Sequence, residues 1–212
     1  MSSIWTLEVA WKHYSLGDYD HDFDIDWDEP RFCSLVAKTN KLELLKWVRE
    51  EKKCDWGAGT ISSAAEQGNL EMVKYCVANK CPVNDYACAE AAENGHLEVL
   101  KYLHEEVKAP WESWTASWAA QNGHLHILKY LVERKFDEFT EWACEDAAKN
   151  GHLDCLKYLH ETAKVRWTSS RAVRKAFDNA QFKCVHYLLD NNCPIPRNWR
   201  IDEDGGLHHP GN

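Results

Sequence analysis

No apolar run in this 212-residue chain approaches the ~20 residues of a membrane-spanning helix, and the opening Met1-Ser2-Ser3-Ile4-Trp5 is no secretory signal. A basic excess is missing as well. Lys and Arg number 25 against 34 Asp and Glu, and the net charge of −9 argues against a binder of nucleic-acid phosphates, which needs a basic footprint. The nine cysteines contain no Cys-x-x-Cys pair and their count is odd, so neither a metal ribbon nor a disulfide framework is spelled out. There is no His-Glu-x-x-His, no Gly-x-Ser-x-Gly and no phosphate-loop glycine run. His124 and His126 are spaced i,i+2, and such residues do not face each other on a helix. Catalysis therefore has no constellation to rest on, and the expectation is a non-enzyme without cofactor, nucleic acid or membrane.

What is present is repetition. The runs Ala91–Leu103, Ala119–Leu131 and Ala147–Leu159 are near copies, with weaker ones from Val36 and Ala64 and a degraded one from Ala176. The anchors step by about 28 residues, a period that signals a repeat array whose units stack to bury a shared core. Each unit reads as two short helices. The first carries a small pair such as Ala119-Ala120, with Cys33, Ile61, Cys88, Ala116, Cys144 or Val173 three positions earlier. It should end at Asn-Gly, where glycine closes a helix in the left-handed region. The second starts at His-Leu-Glu and sets Leu97, Val99, Leu100 and Leu103 mostly on one face. Asn40 replaces the glycine in the first unit and Ala180 in the last. Alanine enters the left-handed region poorly, so the last turn is expected to differ.

The register accounts for most polar and reactive side chains. Cys33, Cys88 and Cys144 hold the small core slot of the first helix, and Cys155 and Cys184 share an apolar slot of the second. They read as reduced core thiols of a reducing compartment, cytoplasm or nucleus. His96, His124 and His152 recur at one position and read as hydrogen-bonding helix-terminus residues. Glu71–Lys74, Glu98–Lys101 and Asp154–Lys157 are i,i+3 pairs of a solvated face.

The small pair, the Gly-His-Leu-Glu sequence and the Val-Leu-rich second helix together resemble the ankyrin-repeat family over residues 33 to 199. The usual ankyrin unit has about 33 residues, and its Thr-Pro-Leu-His opening is missing here. The short repeats are similar to those of large algal and viral families, some of which carry an F-box before the array. The first 32 residues offer neither the length nor the Leu-Pro opening for one. The missing residues fall where ankyrins project a β-hairpin, so short turns are expected at Cys81-Pro82-Val83-Asn84 and Ala109-Pro110-Trp111-Glu112. The implied fold class is all-α, an ankyrin-like helix-pair solenoid of about six short repeats. An N-terminal helix and acidic arm (1–32) would come before the array (33–199), and a disordered tail (200–212) after it.

Two features outlast this accounting. Five positions before the small pair, successive units carry Arg31, Gly59, Tyr86, Trp114, Trp142 and Arg171; one position before it they carry Leu35, Ser63, Glu90, Trp118, Asp146 and Lys175. These positions are four apart and share a helix face, which the resemblance places on the concave groove. Tyr86, Trp114, Trp118 and Trp142 would form a contiguous aromatic patch edged by Glu90, Asp146 and Arg171, the residue types that anchor interfaces. The competing reading packs those rings between units. The second feature is the arm. Residues 1–32 hold eight acids and two bases, and Asp18, Asp20, Asp22, Asp26 and Glu29 fall at calcium-loop positions 1, 3, 5, 9 and 12. Phe23 stands where the loop needs glycine, so a solvated acidic arm or a partner-pairing segment competes with the metal reading.

The resulting expectation is a non-enzymatic interaction module that holds a protein or peptide in its groove and is a monomer unless part of an assembly. The alternatives are a substrate adaptor of a ubiquitin ligase and a structural subunit of a larger assembly.

Overall fold

The computed structural model describes Glu8, residues 29–202 and Leu207–His208. Twelve helices occupy residues 29–190, in six antiparallel-type pairs whose order follows the repeat. The first helices of the pairs are α1 (Glu29–Lys38), α3 (Ala58–Glu66), α5 (Asp85–Glu93), α7 (Ser113–Gln121), α9 (Glu141–Lys149) and α11 (Arg171–Asp178). The second helices are α2 (Leu42–Glu50), α4 (Leu70–Ala78), α6 (Leu97–Lys101), α8 (Leu125–Glu133), α10 (Leu153–Glu161) and α12 (Phe182–Asp190). The described residues pack as two compact units, one of those up to Ala91 with Glu98–Pro110 and one of Ala92–Leu97 with those from Trp111 onward. Repeats that contact mainly their nearest neighbours let contacts cluster in this way.

The small pair explains the close approach of the first helices. In the second unit Ala116, Ala119 and Ala120 of α7, Cys144, Ala147 and Ala148 of α9, and Ala172, Val173 and Ala176 of α11 are all fully buried. The larger aliphatics come from the second helices, with Ile127, Leu128 and Leu131 of α8 and Leu156 and Leu159 of α10 at zero exposure. In the first unit Ile61, Met72, Val73, Leu100 and Leu103 play the same parts. No strand interrupts the connections between pairs among the described residues, so short turns stand at 79–84 and 108–112.

Each Asn-Gly turn has a local cause. Asn122 Nδ2 donates to Trp118 O at 3.1 Å and Asn150 Nδ2 to Asp146 O at 2.9 Å, covering carbonyls that the ending helix leaves open. The glycines after them, Gly123 and Gly151, sit at φ 76° and 77°. A Cβ on Gly95 would lie 2.8 Å from the His124 ring, and one on Gly123 only 2.6 Å from that of His152. Glycine is needed there twice over, for its conformation and because the next pair's histidine lies against it.

Ala180 corrects an expectation. It takes φ 56°, the same left-handed region as the glycines, and the turn closes with Gln181 N–H on Ala176 O at 2.8 Å. The packing of α11 against α12 outweighs the ~1 kcal/mol that a Cβ costs there. Lys53, Lys80, Lys108, Lys135, Lys164 and Asn192 end the second helices in the same region.

A two-pair alternation was not foreseen. α6 runs on as a π-helix over Tyr102–Val107, and Ala109 N–H reaches back to Leu103 O at 2.9 Å. In the next pair Phe136 N–H bonds Leu131 O, one residue nearer. The first and fifth pairs use the longer closure too, from Cys54 to Val48 and from Val165 to Leu159, while the second and sixth use the shorter. After each longer closure comes a tryptophan. Trp56, Trp111 and Trp167 meet Tyr75, Tyr130 and Tyr187 edge-on, with ring centres 6.0, 6.4 and 6.4 Å apart. The inserted residue is absorbed as a wider helical turn, as such insertions commonly are.

Within the stretch expected to be disordered, Arg200–Ile201 pairs with Leu207–His208 in a two-residue antiparallel ladder. Asp202 Oδ2 and His208 Nε2 lie 2.7 Å apart beside it.

Candidate functional site

The seven residues singled out by their variability divide between grooves of the two units. Trp114, Trp118, Trp142, Asp146 and Arg171 line a groove of 420 Å³ across α7, α9 and α11, together with Ser117, Glu145 and Lys175. Tyr86 and Glu90 line a smaller groove of 310 Å³ across α1, α3 and α5, together with Ser34, Gly59, Ser62 and Ser63. Lys38 and Glu66 pair across that second groove at 3.0 Å.

The larger groove is built on short, well-anchored helices. The Glu112 backbone N–H donates to Thr115 Oγ1 at 3.3 Å at the start of α7. From that helix Trp114 and Trp118, one turn apart, are each half-buried, while Trp142 of α9 is 56% exposed. The rings are therefore neither free on the surface nor sealed between repeats. α11 is set by Glu141, whose carboxylate accepts four hydrogen bonds from the loop before it. Thr168 gives its N–H and hydroxyl at 3.1 and 2.8 Å, and Ser169 gives its own at 2.9 and 2.8 Å. Burial opposes the charge on Glu141, but these donors prevail and its carboxyl is held below the usual range.

Beneath the tryptophans lies a residue that sequence reasoning missed. Glu145 is 1% exposed. Its Oε1 meets Arg171 Nε at 2.9 Å and its Oε2 meets Lys175 Nζ at 2.9 Å, with Lys175 also 3.3 Å from Asp146 Oδ1. Burial would depress the Lys175 ammonium, yet Glu145 and Asp146 outweigh it and raise it above the ordinary lysine value. A buried carboxylate is tolerated only when paired, and here both partners come from α11. A signal existed in the chain. Two positions before the small pair the first four repeats carry Ser34, Ser62, Ala89 and Ser117, so a glutamate in that slot of the fifth stands out.

Two of the recurring histidines, His124 and His152, lie against the glycine of the preceding repeat. His124 is the residue before α8, and its ring bonds the Glu93 carbonyl rather than capping its own helix. Burial lowers its pKa, the Glu93 carbonyl opposes this, and His126, His96 and His152 add to the lowering. His126 Nε2 lies 2.9 Å from Gly95 O. In the sixth repeat Gln181 takes the slot against Gly151.

All nine cysteines are buried and unbridged. Burial pushes the Cys88 and Cys144 thiols up to about 12 and Cys155 up to about 11, so they are protonated at neutral pH. Of the calcium-loop residues, Asp18, Asp20, Asp22 and Asp26 lie outside the described residues. Glu29 opens α1, and its Oε2 accepts the Asp55 backbone N–H at 2.6 Å. Among the described residues no group of three or more His, Cys, Asp or Glu is placed to hold a metal, and no helix is long and apolar enough to cross a membrane.

A family model described as ankyrin repeats matches three overlapping stretches, 61–142, 89–166 and 116–198. No curated protein matches the chain. Among solved structures, the chain is similar to one in the crystal structure of the yeast ribosomal protein Rps3 in complex with its chaperone Yar1. The identity is 20% over 65% of this chain and 94% of that one, with a TM-score of 0.31, a likeness too slight to carry an argument.

Proposed function

We propose a function from one premise: this chain belongs to the ankyrin-repeat family, whose members generally mediate protein–protein interaction. The chain is a non-enzymatic module that holds a segment of a partner protein in the groove across α7, α9 and α11. The observation that carries this reading is the incomplete burial of three tryptophans around one groove, with Trp142 56% exposed. A soluble protein seldom leaves large aromatic surface together in a cleft unless something covers it, and tryptophan is the residue type most enriched at interface hot spots. The groove holds a few side chains of a partner and not a folded domain, which suits an extended segment or a projecting loop.

The test immobilises the chain, offers cell extract, and repeats the capture with Trp118→Ala and Trp142→Ala. Proteins held by the wild type should be lost from both variants, each of which should weaken binding by about 2 kcal/mol or more. Phe182→Ala, an exposed aromatic of α12 outside the groove, should capture them as before. Equal capture by all four proteins sinks the reading. Cullin-adaptor components among the captured proteins would make the chain a ubiquitin-ligase adaptor, and a stoichiometric companion would make it a structural subunit.

A further inference from the structure

We propose that the segment held in the α7–α9–α11 groove is acidic, with side-chain carboxylates alternating with apolar side chains, and that Arg171 receives one of those carboxylates. This rests on the groove reading above and specifies its ligand.

The charges in the groove are unequally committed. Glu145 faces two cations, with Oε1 2.9 Å from Arg171 Nε and Oε2 2.9 Å from Lys175 Nζ, and Asp146 Oδ1 faces Lys175 as well; the Oε1 contact is an ion pair without a hydrogen bond. Arg171 is engaged through Nε alone. Its two terminal nitrogens make no hydrogen bond or ion pair among the described residues, and its side chain is 59% exposed. A guanidinium held beside a buried carboxylate by their charges keeps its position near the groove before any ligand arrives. Its remaining fork matches a carboxylate, which accepts two parallel N–H bonds.

The surroundings have the same sign. From Lys164 to Phe177 the chain carries Lys164, Arg166, Arg171, Arg174 and Lys175 and no acid, a local reversal in a protein of net charge −9. Arg174 is exposed and has no ion pair among the described residues. A basic segment would meet these cations and find its complement already neutralised. A nucleic acid would bring its phosphates against Glu145 and Asp146 and against the repulsion of the whole chain. Trp114, Trp118 and Trp142 supply the apolar half of the complement, since indole faces bury aliphatic and aromatic side chains at little entropic cost.

The experiment measures fluorescence anisotropy of a short labelled peptide in which aspartate alternates with leucine and phenylalanine. Its C-terminus is amidated, so only side-chain carboxylates are offered. Versions with lysine or serine for aspartate, and a labelled oligothymidylate, run in parallel. The acidic peptide should bind with a Kd below about 1 mM, more tightly than any other probe and more weakly as salt rises. Arg171→Gln should weaken it by about tenfold or more. Arg171→Lys keeps a charge beside Glu145 and so protects the fold, yet it should also weaken binding because the fork is gone. Urea melts of both variants separate loss of binding from loss of folding. The proposal is overturned if the acidic peptide does not bind, if the lysine peptide or the oligothymidylate binds as tightly, or if both Arg171 variants match the wild type. If the serine peptide binds best and Trp142→Ala abolishes it, the groove stands and the acidic assignment falls. Binding indifferent to Trp142→Ala would count against the groove itself.

Discussion

The ion cluster around Glu145 predicts opposite outcomes for removing its two sides. Glu145→Ala takes away a carboxylate that is 1% exposed and leaves Arg171 and Lys175, whose side chains are 59% and 37% exposed. Those cations can turn to water. The slot itself accepts a small residue, since Ser34, Ser62, Ala89 and Ser117 fill it elsewhere. The stability change should therefore stay within about 1 kcal/mol, because the lost attraction is offset by the relief of burying a charge. The double variant Arg171→Gln, Lys175→Gln does the reverse: the carboxylate stays buried without a cation. Breaking a buried pair from one side costs about 3–5 kcal/mol. Screening of these half-exposed partners brings the expectation toward the lower end, about 3 kcal/mol. Urea unfolding, followed by both tryptophan fluorescence and far-ultraviolet circular dichroism, measures the difference. Two probes are needed because repeat proteins can unfold in parts. If Glu145→Ala destabilises the chain as much as the double variant, the cluster is a net source of stability and the reasoning is wrong.

Three further outcomes follow from the packing. Leu128→Ala, at a fully buried site of α8, should cost about 2–5 kcal/mol through lost burial and a cavity, and Trp118→Ala should cost less in the same urea melts. Ala180→Gly should raise stability by about 1 kcal/mol, because φ 56° is free for glycine and strained for alanine; an unchanged or lower urea midpoint would show that the turn carries no strain. His124 is held below its ordinary pKa, so below about pH 6.5 the unfolded chain binds the extra proton first. Its contribution is complete above that pH and is lost as pH falls toward the depressed folded value. His124→Gln, which copies Gln181 of the sixth repeat, should flatten stability against pH between about 7 and 5; an unaltered slope would place the effect elsewhere.

The repeat register, the helix pairs and their turns were legible in the chain because each is fixed by residues close in sequence. A small pair, an Asn-Gly stop and an apolar stripe specify a helix, its end and its buried face within about one turn of themselves. The same register led to Trp114, Trp118, Trp142, Asp146 and Arg171, which do share one groove. Tyr86 and Glu90 line the groove of the first unit, because a common helix position does not say which side chains share a groove. Glu145 was passed over since a charge on a first helix reads as solvated until its neighbours are known. Its cations lie on α11, 26 and 30 residues away by number, and only folding brings them within 2.9 Å. The left-handed Ala180 and the π-turn after Lys101 likewise go against local preference. The sequence alone set the elements and their order, because backbone preference and hydrophobic period are properties of neighbours along the chain. Burial, pairing of charge and strained turns were settled by tertiary structure, because each depends on side chains that meet from different repeats.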